Sequence, residues 1–361
     1  MDNFKYLAIV EWAKEYIKME GLGPNDRFLT EKQLCEIHNV SRQTVRQAMM
    51  RLESENVICR VRGSGTFVSG RASAVSVPPP TKRTVGVIST YFSDYIFPHI
   101  VTGIESVLGE AGYSMQLSIT HNQVLEETQA LESMVSSGVC GLIVEPSKSA
   151  LPNPNMPLYQ ELRQKGVPLV FFNAKYPWSD YPYVSMDDEA AARKVTDHLF
   201  ERGHRSIAGI FALDDIQGHK RYSGYMNSCL EHNVKGFEQN VFWFATSDRN
   251  SIFRYAREKL IDLFSETTAV VCYNDKLAVN LLKFCRENGI SVPGDLSVVG
   301  IDDSRYASIC EVPLTTVRHP HSMLGSAAAE ILIGMIEHRR PDPEDRIFTP
   351  DLIVRNSVAQ L

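Results

Sequence analysis

The chain has 361 residues, of which 43% are hydrophobic and 22% are charged, and its formal net charge is −6. This length exceeds what one hydrophobic core usually supports, so a single small domain is excluded and two or three structural units are expected. No stretch approaches the roughly 18 apolar residues of a membrane span, which excludes a membrane protein as well.

The N-terminus and the cysteines both favour a cytoplasmic location. The opening residues, MDNFKYLAIVEWAKEY, alternate charged and apolar side chains and lack the basic start and apolar run of a secretory signal. The 7 cysteines are scattered and contain no C-x-x-C pair. We therefore expect reduced, mostly buried thiols, with no disulfide framework, no metal site and no cofactor.

The charge is distributed unevenly along the chain. Residues 1–75 hold 11 Lys and Arg against 9 Asp and Glu, whereas the whole chain is acidic. A positive bias confined to one small unit points weakly to nucleic acid, and the acidic remainder argues against a second nucleic-acid surface.

The first 40 residues predict two helices. Residues 3–20 place apolar side chains at helical spacing, and Gly21 stops the pattern. The next helix begins after Thr30, a candidate N-cap, and Gln33 lies where a capping box requires it. This second helix is expected to end near residues 38–39.

A third helix is predicted from Arg42 to Glu53, with Ser41 as its N-cap. Its apolar stripe consists of Val45, Ala48, Met49 and Leu52. Its first turns present polar side chains outward, namely Arg42, Gln43, Thr44, Arg46 and Gln47. Because a recognition helix offers such side chains to base edges and phosphates, the second and third helices predict a helix-turn-helix.

A hairpin is predicted directly after the third helix. Residues 57–62 and 66–69 form its strands, and residues 63–65, Gly-Ser-Gly, form the turn, with arginines near the tip. A phosphate-cradling glycine loop is the alternative, but this loop precedes a strand instead of opening a helix. A DNA-contacting wing is therefore preferred.

The segment LTEKQLCEIHNVSRQTVRQAMMRLESENVICRVRGSGTFV resembles the winged helix-turn-helix of the GntR family of bacterial regulators. This resemblance implies a domain that binds double-stranded operator DNA as a dimer, with the third helix in the major groove and the wing along the minor groove. The DNA contacts that it implies are Thr30, Arg42, Gln43, Thr44, Arg46, Arg60, Arg62 and Gly65.

Composition separates this unit from the remainder of the chain. The segment GRASAVSVPPPTKR is small, polar or proline, and three consecutive prolines favour an extended tether. We therefore predict a DNA-binding domain at residues 1–70, a proline-rich linker at 71–83 and a second domain at 84–361.

Strands and helices alternate after the linker, which predicts a parallel sheet covered on both faces. The first set of elements is predicted at residues 84–89, 98–111, 113–119, 126–136, 141–144, 159–164 and 167–172. A second set of similar size is predicted at residues 186–202, 206–211, 218–232, 240–244, 250–264, 269–272, 275–288 and 296–301. Two sets of comparable order predict two α/β lobes with a cleft between them.

Polar side chains follow the predicted strands, where open α/β sheets bind ligands. The candidates are Tyr91, Asp94, Tyr95, Glu145, Asn173, Asn274 and Asp302, with Lys148 and Arg221 as further donors. Carboxylates and amides accept hydrogen bonds from hydroxyl groups, and an aromatic ring packs on the C–H face of a sugar. This set predicts a site for a neutral polyol. For Asp187, Asp275 and Asp303 we favour helix capping or structural salt bridging over ligand contact.

The segments PLVFFN, IQGHKRYSGY, VVCYNDKLAV, ISVPGDLSVVGIDDS and PLTTVRHP resemble the LacI/ribose-binding superfamily of sensors. This resemblance implies a type I periplasmic-binding-protein-like fold with two parallel-sheet subdomains over residues 84–361. The sugar contacts that it implies are Glu145, Asn173, Arg221, Asn274, Asp302 and His319. His319 departs from the family pattern, in which an amide is common at this position.

The two halves together resemble the family of arabinose-responsive repressors of Gram-positive bacteria, in the segments STYFSDYIFPHIVTGIE, GLIVEPSKSALPNPN and DDIQGHKR. This resemblance implies L-arabinose as the effector, a homodimer formed through the sensor, and repression of arabinose-utilisation genes that sugar relieves. The pentose itself does not follow from the spacing of residues. A sensor for a different sugar or for a purine stays open on the same fold.

An enzyme with a DNA-binding head is the alternative class. The sequence lacks the P-loop pattern G-x-x-x-x-G-K-[ST], a nucleophile elbow and a metal-ligand cluster. The C-terminal part is also shorter than an aminotransferase module requires. A non-enzymatic regulator is therefore predicted.

Overall fold

The computed structural model describes residues 5–23, 26–54, 57–61, 65–68, 83–92, 95–337 and 343–361. The chain divides into two compact units, residues 1–80 and residues 81–361. No helix in these described ranges is long and apolar enough to cross a membrane.

The first unit contains three helices followed by a hairpin: α1 (Lys5–Met19), α2 (Glu31–His38), α3 (Arg42–Ser54), β1 (Ile58–Val61) and β2 (Gly65–Val68). The two strands pair antiparallel. The capping box is confirmed, since Gln33 N donates to Thr30 Oγ1 at 3.3 Å and Thr30 N donates to Gln33 Oε1 at 2.9 Å. The order of elements is that of a winged helix-turn-helix.

This unit has its own hydrophobic core. The predicted stripe of α3 is fully buried, and side chains from α1, α2 and the hairpin pack against it. The buried members are Ile9, Val10, Ala13, Phe28, Leu34, Val45, Ala48, Met49, Leu52, Ile58 and Val68. Because the stripe faces inward, the polar side of α3 is turned to solvent.

The first lobe of the second unit is built on a parallel six-stranded sheet of order β13-β7-β6-β5-β3-β4. Its strands are β3 (Arg83–Ser89), β4 (Tyr113–Ile119), β5 (Gly141–Val144), β6 (Leu169–Phe172), β7 (Tyr183–Met186) and β13 (Arg346–Phe348). Its helices are α4 (Phe97–Glu110), α5 (Val124–Ser136), α6 (Met156–Gln164) and α13 (His321–Ile336). Separate apolar clusters cover the two faces of the sheet.

The second lobe is built on a parallel four-stranded sheet of order β11-β10-β8-β9. Its strands are β8 (Ile207–Ala212), β9 (Val241–Phe244), β10 (Ala269–Cys272) and β11 (Ser297–Val299). Its helices are α7 (Asp188–Glu201), α8 (Ile216–Glu231), α9 (Ile252–Tyr255), α10 (Arg257–Ser265), α11 (Asp275–Glu287) and α12 (Arg305–Ile309). A two-stranded antiparallel ribbon completes it, β12 (Thr316–Arg318) with β14 (Asp351–Ile353).

The chain passes between the lobes three times, after β7, after β12 and after β13. The crossings are held together locally, because Asp187 N donates to Phe348 O at 2.9 Å. Asp187 also caps α7 by accepting from Ala190 N at 3.0 Å, which confirms its expected capping role. Three adjacent crossings form a hinge at one edge of the cleft.

The sequence analysis predicts no strand or helix after residue 301. The structure adds β7, α13 and β13 to the first lobe, although α13 and β13 lie between β12 and β14 of the second lobe in the sequence. Consecutive blocks of sequence therefore do not correspond to complete lobes.

The single helix predicted at 250–264 is wrong, because the structure breaks it at Ala256 into α9 and α10. The buried side chains of this stretch recur every four residues, at Ile252, Ala256, Leu260 and Phe264. On a straight helix that spacing drifts by about 40° per step, away from the core. The break at Ala256, with φ −104° and ψ 18°, lets all four side chains reach the sheet.

Candidate functional site

The main cleft of the second unit lies between the lobes, at the carboxyl ends of both sheets. Its cavity volume is about 90 Å³. Of the predicted ligand residues, the structure brings seven into its lining: Tyr91, Tyr95, Glu145, Asn173, Arg221, Asn274 and Asp302. They come from both lobes, as strand order predicts.

Glu145 follows β5 and is held by donors of its own lobe. Its Oε2 accepts from Thr90 N at 2.8 Å and from Thr90 Oγ1 at 2.5 Å, and its Oε1 accepts from Asn173 Nδ2 at 2.6 Å. Burial raises the pKa of Glu145, and the hydrogen bonds from Thr90 and Asn173 oppose that rise. The carboxylate is thus fixed in place at the cleft wall.

Asn173 follows β6 with a left-handed backbone at φ 62°. Its Nδ2 is bound to Glu145, but its Oδ1 is buried and finds no hydrogen-bond partner among the described residues. A buried acceptor without a donor costs about 1–3 kcal/mol. Asn173 itself lines the cleft.

Arg221 on α8 organises the wall of the second lobe. Its Nε donates to Asp188 Oδ1 at 2.9 Å, its Nη1 to Tyr273 O at 2.6 Å, and its Nη2 lies 3.5 Å from Asp302 Oδ1. Arg221, Asp188 and Asp302 are each at most 2% exposed. The guanidinium therefore offsets part of the cost of burying two carboxylates.

Asp302 follows β11 and connects the lobes at the cleft. Tyr95 of the first lobe donates its hydroxyl to Asp302 Oδ2 at 2.5 Å. Burial raises the pKa of Asp302 to about 6, and the charge of Arg221 limits the rise. Its backbone is left-handed at φ 121°, a conformation that is costly for a non-glycine residue and occurs often at functional sites.

Asn274 lines the cleft but also caps a helix. Its Oδ1 accepts from Leu277 N at 3.0 Å at the start of α11. Of the neighbouring carboxylates, Asp275 holds Ser304 N and Thr316 Oγ1, and Asp303 pairs with Arg318 and Arg355. Those two aspartates are structural, as the sequence suggested.

Two predicted ligand residues lie outside the cleft lining, and a third lies outside the described residues. The ammonium of Lys148 is 2.6 Å from Asp214 Oδ2 of the other lobe. His319 is 3% exposed at the hinge, with its Nδ1 3.0 Å from His321 Nδ1, and burial holds its pKa well below its ordinary value. Asp94 is not among the described residues. The roles of all three as sugar contacts stay predictions.

Several lining residues were missed by the sequence reasoning. Arg249 places its guanidinium 4.1 Å from the ring centroid of Tyr91, across the cleft. The others are Thr90, Ile96, Phe97, Asn122, Pro146, Ala174, Asp215, Gln217, Phe244, Thr246, Asn250, Tyr273, Lys276, Leu277 and Asn280. Asp215 and Thr246 follow β8 and β9, so the strand-end rule that found Glu145 also applied to them.

Charge in the cleft is balanced among the residues that the structure describes. Three carboxylates line it, Glu145, Asp215 and Asp302, against three cations, Arg221, Arg249 and Lys276. Aromatic rings contribute the apolar surface, namely Tyr91, Tyr95, Phe97, Phe244 and Tyr273. Such a lining suits an uncharged ligand that has both hydroxyl groups and an apolar face.

A second candidate site is the outer face of α3 in the first unit. Arg42, Gln43 and Arg46 are exposed there, and Arg46 Nε lies 3.4 Å from Glu31 Oε2. Thr44 is partly buried, with its hydroxyl 2.9 Å from Ser41 Oγ. The exposed donors form one polar face, as a recognition helix requires.

The remaining predicted DNA contacts lie before α2 and in the hairpin. The side chain of Thr30 belongs to the capping box. Gly65 opens β2 at φ 121° beside the guanidinium of Arg27, an exposed cation that the sequence reasoning missed. Arg62 lies outside the described residues, as does the side chain of Arg60.

Comparisons with known proteins match both units. The family of bacterial regulatory proteins named gntR matches residues 5–68, and the periplasmic binding protein-like domain family matches residues 196–358. The chain is 42% identical over 360 residues to the arabinose metabolism transcriptional repressor of Geobacillus stearothermophilus, covering 99% of this chain and 98% of that protein. It is 38% identical over 367 residues to the protein of the same name from Halalkalibacterium halodurans, covering 99% and 97%.

A solved structure is similar over most of the chain. The complex of the transcriptional regulator CelR with cellobiose superimposes with a TM-score of 0.69 at 26% identity, covering 88% of this chain and 91% of that chain.

Proposed function

We propose, from the premise that the chain belongs to the family of arabinose metabolism transcriptional repressors, that its effector is L-arabinose and that it binds operator DNA as a homodimer in the cytoplasm until the sugar releases it. The chain is a sugar-responsive DNA-binding regulator and not an enzyme, with a GntR-type winged helix-turn-helix head and a LacI-like sensor.

The buried acceptor Asn173 Oδ1 is the observation that carries the sugar proposal. It lies in the cleft beside Glu145, and its missing partner has to be a hydrogen-bond donor. The carboxylate of Asp302 lines the other lobe. Hydroxyl groups along a pentose ring supply donors to all three side chains, and the rings of Tyr91 and Tyr273 offer surfaces for its C–H groups.

The DNA proposal rests on the exposed face of α3. Arg42, Gln43 and Arg46 extend from a helix whose opposite face is fully buried, so they are presented together. In the major groove, one arginine can donate two hydrogen bonds to a guanine, and one glutamine can form two hydrogen bonds with an adenine. Gly65, at the start of the second strand of the wing, contributes a backbone contact.

For release, we infer that the sugar stabilises the arrangement in which its ligands from both lobes reach it together. Glu145 and Asn173 belong to one lobe, and Arg221 and Asp302 belong to the other. A ligand shifts an equilibrium only by its difference in affinity between two states. Closure around the sugar changes the geometry of the dimer and moves the heads from the half-site spacing of the operator.

Calorimetric titration of the purified chain with L-arabinose tests the effector, with D-xylose, D-ribose and D-galactose as controls. Selective binding of L-arabinose is expected. If none of the four sugars binds, the proposal that L-arabinose is the effector is wrong. If another of the sugars binds instead, a protein of the same architecture regulates a different sugar pathway.

Operator binding measured with and without L-arabinose tests the sign of the response. Affinity for the operator is expected to fall when sugar saturates the cleft. Tighter operator binding in the presence of sugar contradicts the release mechanism.

A further inference from the structure

The lobes touch each other directly beside the cleft, through the turns after β5 and after β8. Lys148 Nζ of the first lobe donates to Asp214 Oδ2 of the second at 2.6 Å. Ser149 Oγ donates to Asp215 Oδ1 at 2.9 Å and accepts from Ile216 N at 3.0 Å. These hydrogen bonds connect the two lobes directly and do not involve a bound sugar.

Four residues, two from each lobe, form a closed ring of hydrogen bonds. Lys148 N donates to Asn122 Oδ1 at 2.7 Å, and Asn122 Nδ2 donates to Thr246 Oγ1 at 2.7 Å. Thr246 Oγ1 donates to Asp214 Oδ2 at 2.8 Å, and the same carboxylate oxygen accepts from Lys148 Nζ. Lys148 and Asn122 belong to the first lobe, whereas Thr246 and Asp214 belong to the second, so the ring crosses between the lobes twice.

The charged members of this ring are largely out of water. The side chain of Asp214 is 2% exposed and that of Lys148 is 26% exposed. Burial by itself raises the pKa of Asp214, but the hydrogen bonds from Lys148 and Thr246 outweigh it and hold the pKa below its ordinary value. Such a pair contributes to stability only while both partners remain together.

The backbone is strained on the first-lobe side of the ring. Lys148 has φ 47° and Asn122 has φ 58°, both left-handed. Asparagine adopts this conformation more readily than other side chains, whereas a lysine keeps it only where surrounding contacts impose it. Such residues cluster at active sites, ligand clamps and switch regions. Here the imposed contacts include the bonds across the lobes.

We propose that Lys148, Asn122, Asp214 and Thr246 form an interlobe latch that stabilises the closed arrangement of the lobes and thereby sets the affinity of the sensor for its effector. Lys148 and Asp214 act as positioning residues, since neither lines the cleft. The latch rests on the proposed function for the identity of the effector. Two of its bonds cross between the lobes, from Lys148 Nζ to Asp214 Oδ2 and from Asn122 Nδ2 to Thr246 Oγ1. Both are lost when the lobes separate, so the sugar and the latch stabilise the same state.

The first test is a double-mutant cycle in the full chain, with Lys148→Met, Asp214→Asn and the two combined. Each single change should weaken L-arabinose binding about tenfold, and the combined change should weaken it by little more, because both remove the same bond.

Lys175→Met is the matched control, since Lys175 pairs with Asp345 at 2.9 Å within the first lobe. It should leave the affinity within about twofold. Unchanged affinity in the single variants, or multiplied losses in the combined variant, overturns the latch.

The second test needs no sugar. The amides of Ala150 and Ile216 donate across the lobes, to Asp214 O at 3.4 Å and to Ser149 Oγ at 3.0 Å. Hydrogen exchange at these two amides should be about tenfold faster in Lys148→Met, with exchange in β5 and β8 unchanged. Faster exchange without sugar binding by the unmodified chain keeps the latch and refutes the effector. Equal exchange at both amides refutes the latch.

Discussion

The two activities of this repressor, sugar binding and DNA binding, depend on different side chains in its two units. Asp302 lines the cleft with its carboxylate between Tyr95 and Arg221, whereas Arg42 lies exposed on the head. Because the units have separate cores, a change at either residue should leave the other activity intact.

Reciprocal substitutions check this division. Asp302→Ala should weaken L-arabinose binding about 100-fold, because a buried charge-assisted hydrogen bond is lost, and should leave operator affinity unchanged. Arg42→Ala should weaken operator binding about tenfold at fixed salt and leave sugar affinity unchanged. Calorimetry and operator titration measure the two effects, and loss of both activities in either variant indicates misfolding instead.

Sugar affinity should depend on pH through Asp302, whose pKa is raised to about 6 by burial. A sugar hydroxyl donates to the ionised carboxylate, so binding should weaken about tenfold between pH 8 and pH 5, as the carboxyl takes up a proton. The same group favours folding most below its ordinary pKa of 3.8, and that contribution is lost as pH rises through about 6. Asp302→Asn should abolish its share of the dependence, and calorimetry at a series of pH values measures it; a flat profile in the unmodified chain refutes the assignment.

Part of the cleft could be predicted because parallel strands end at one edge of a sheet. That rule found Glu145, Asn173 and Asp302, yet it does not say which way a side chain turns. Lys148 lies in the same turn after β5 as Glu145, but its ammonium reaches across to Asp214. Arg249 escaped notice because it follows no strand directly, and only the path of its turn brings it over Tyr91.

At the scale of elements, local signals were sufficient wherever the pattern was amphipathic or capped. The three helices of the head follow from the stripe of α3 and the capping box at Thr30. By contrast, α13 is apolar on nearly all sides, with nine of its 16 residues buried, so it offers no polar face that a periodic pattern would reveal. Its place against α4 depends on a partner more than 200 residues away in the chain.

The crossing of α4 and α13 is close enough to require glycine on each helix. A Cβ on Gly103 would lie 2.3 Å from Ser322 O, and one on Gly325 would lie 2.1 Å from Ile100 O. Gly103→Ala should therefore force the helices apart and destabilise the second unit by about 1–3 kcal/mol.

Gly109→Ala is the matched control on the same helix, since its Cβ would meet only Glu105 Oε1 at 3.8 Å. It should be neutral or stabilise by up to about 1 kcal/mol, because alanine favours the helix. Thermal unfolding followed by circular dichroism compares the two variants, and equal melting temperatures would show that the crossing tolerates a methyl group.

At the scale of the whole molecule, the two units have separate hydrophobic cores and their sequence segments do not interleave. A fragment of residues 84–361 should thus bind L-arabinose with the affinity of the full chain and should not bind operator DNA. Calorimetry and operator titration of the fragment test this, and a sugar affinity more than about threefold below that of the full chain would show that the head contributes to the cleft.

The two-lobed architecture was predictable from the repeated alternation of strands and helices, but the passage of the chain between the lobes was not. The alternation of strands and helices is a local property of the sequence, whereas β13 pairs with β7 at the edge of the first sheet, far from it in the chain. Nothing within the segment 346–348 indicates which of the two sheets it will join.

The threefold passage between the lobes bears on the order in which the protein is completed during synthesis. The head is finished once residue 68 has left the ribosome, but the first lobe lacks its edge strand until residue 348, and the second lobe lacks β14 until residue 353. A chain terminated early would therefore carry a folded head and no competent sensor. A nonsense mutation late in the gene would then produce a chain that keeps the DNA-binding head but lacks the sensor on which the proposed dimer and the proposed response to sugar depend.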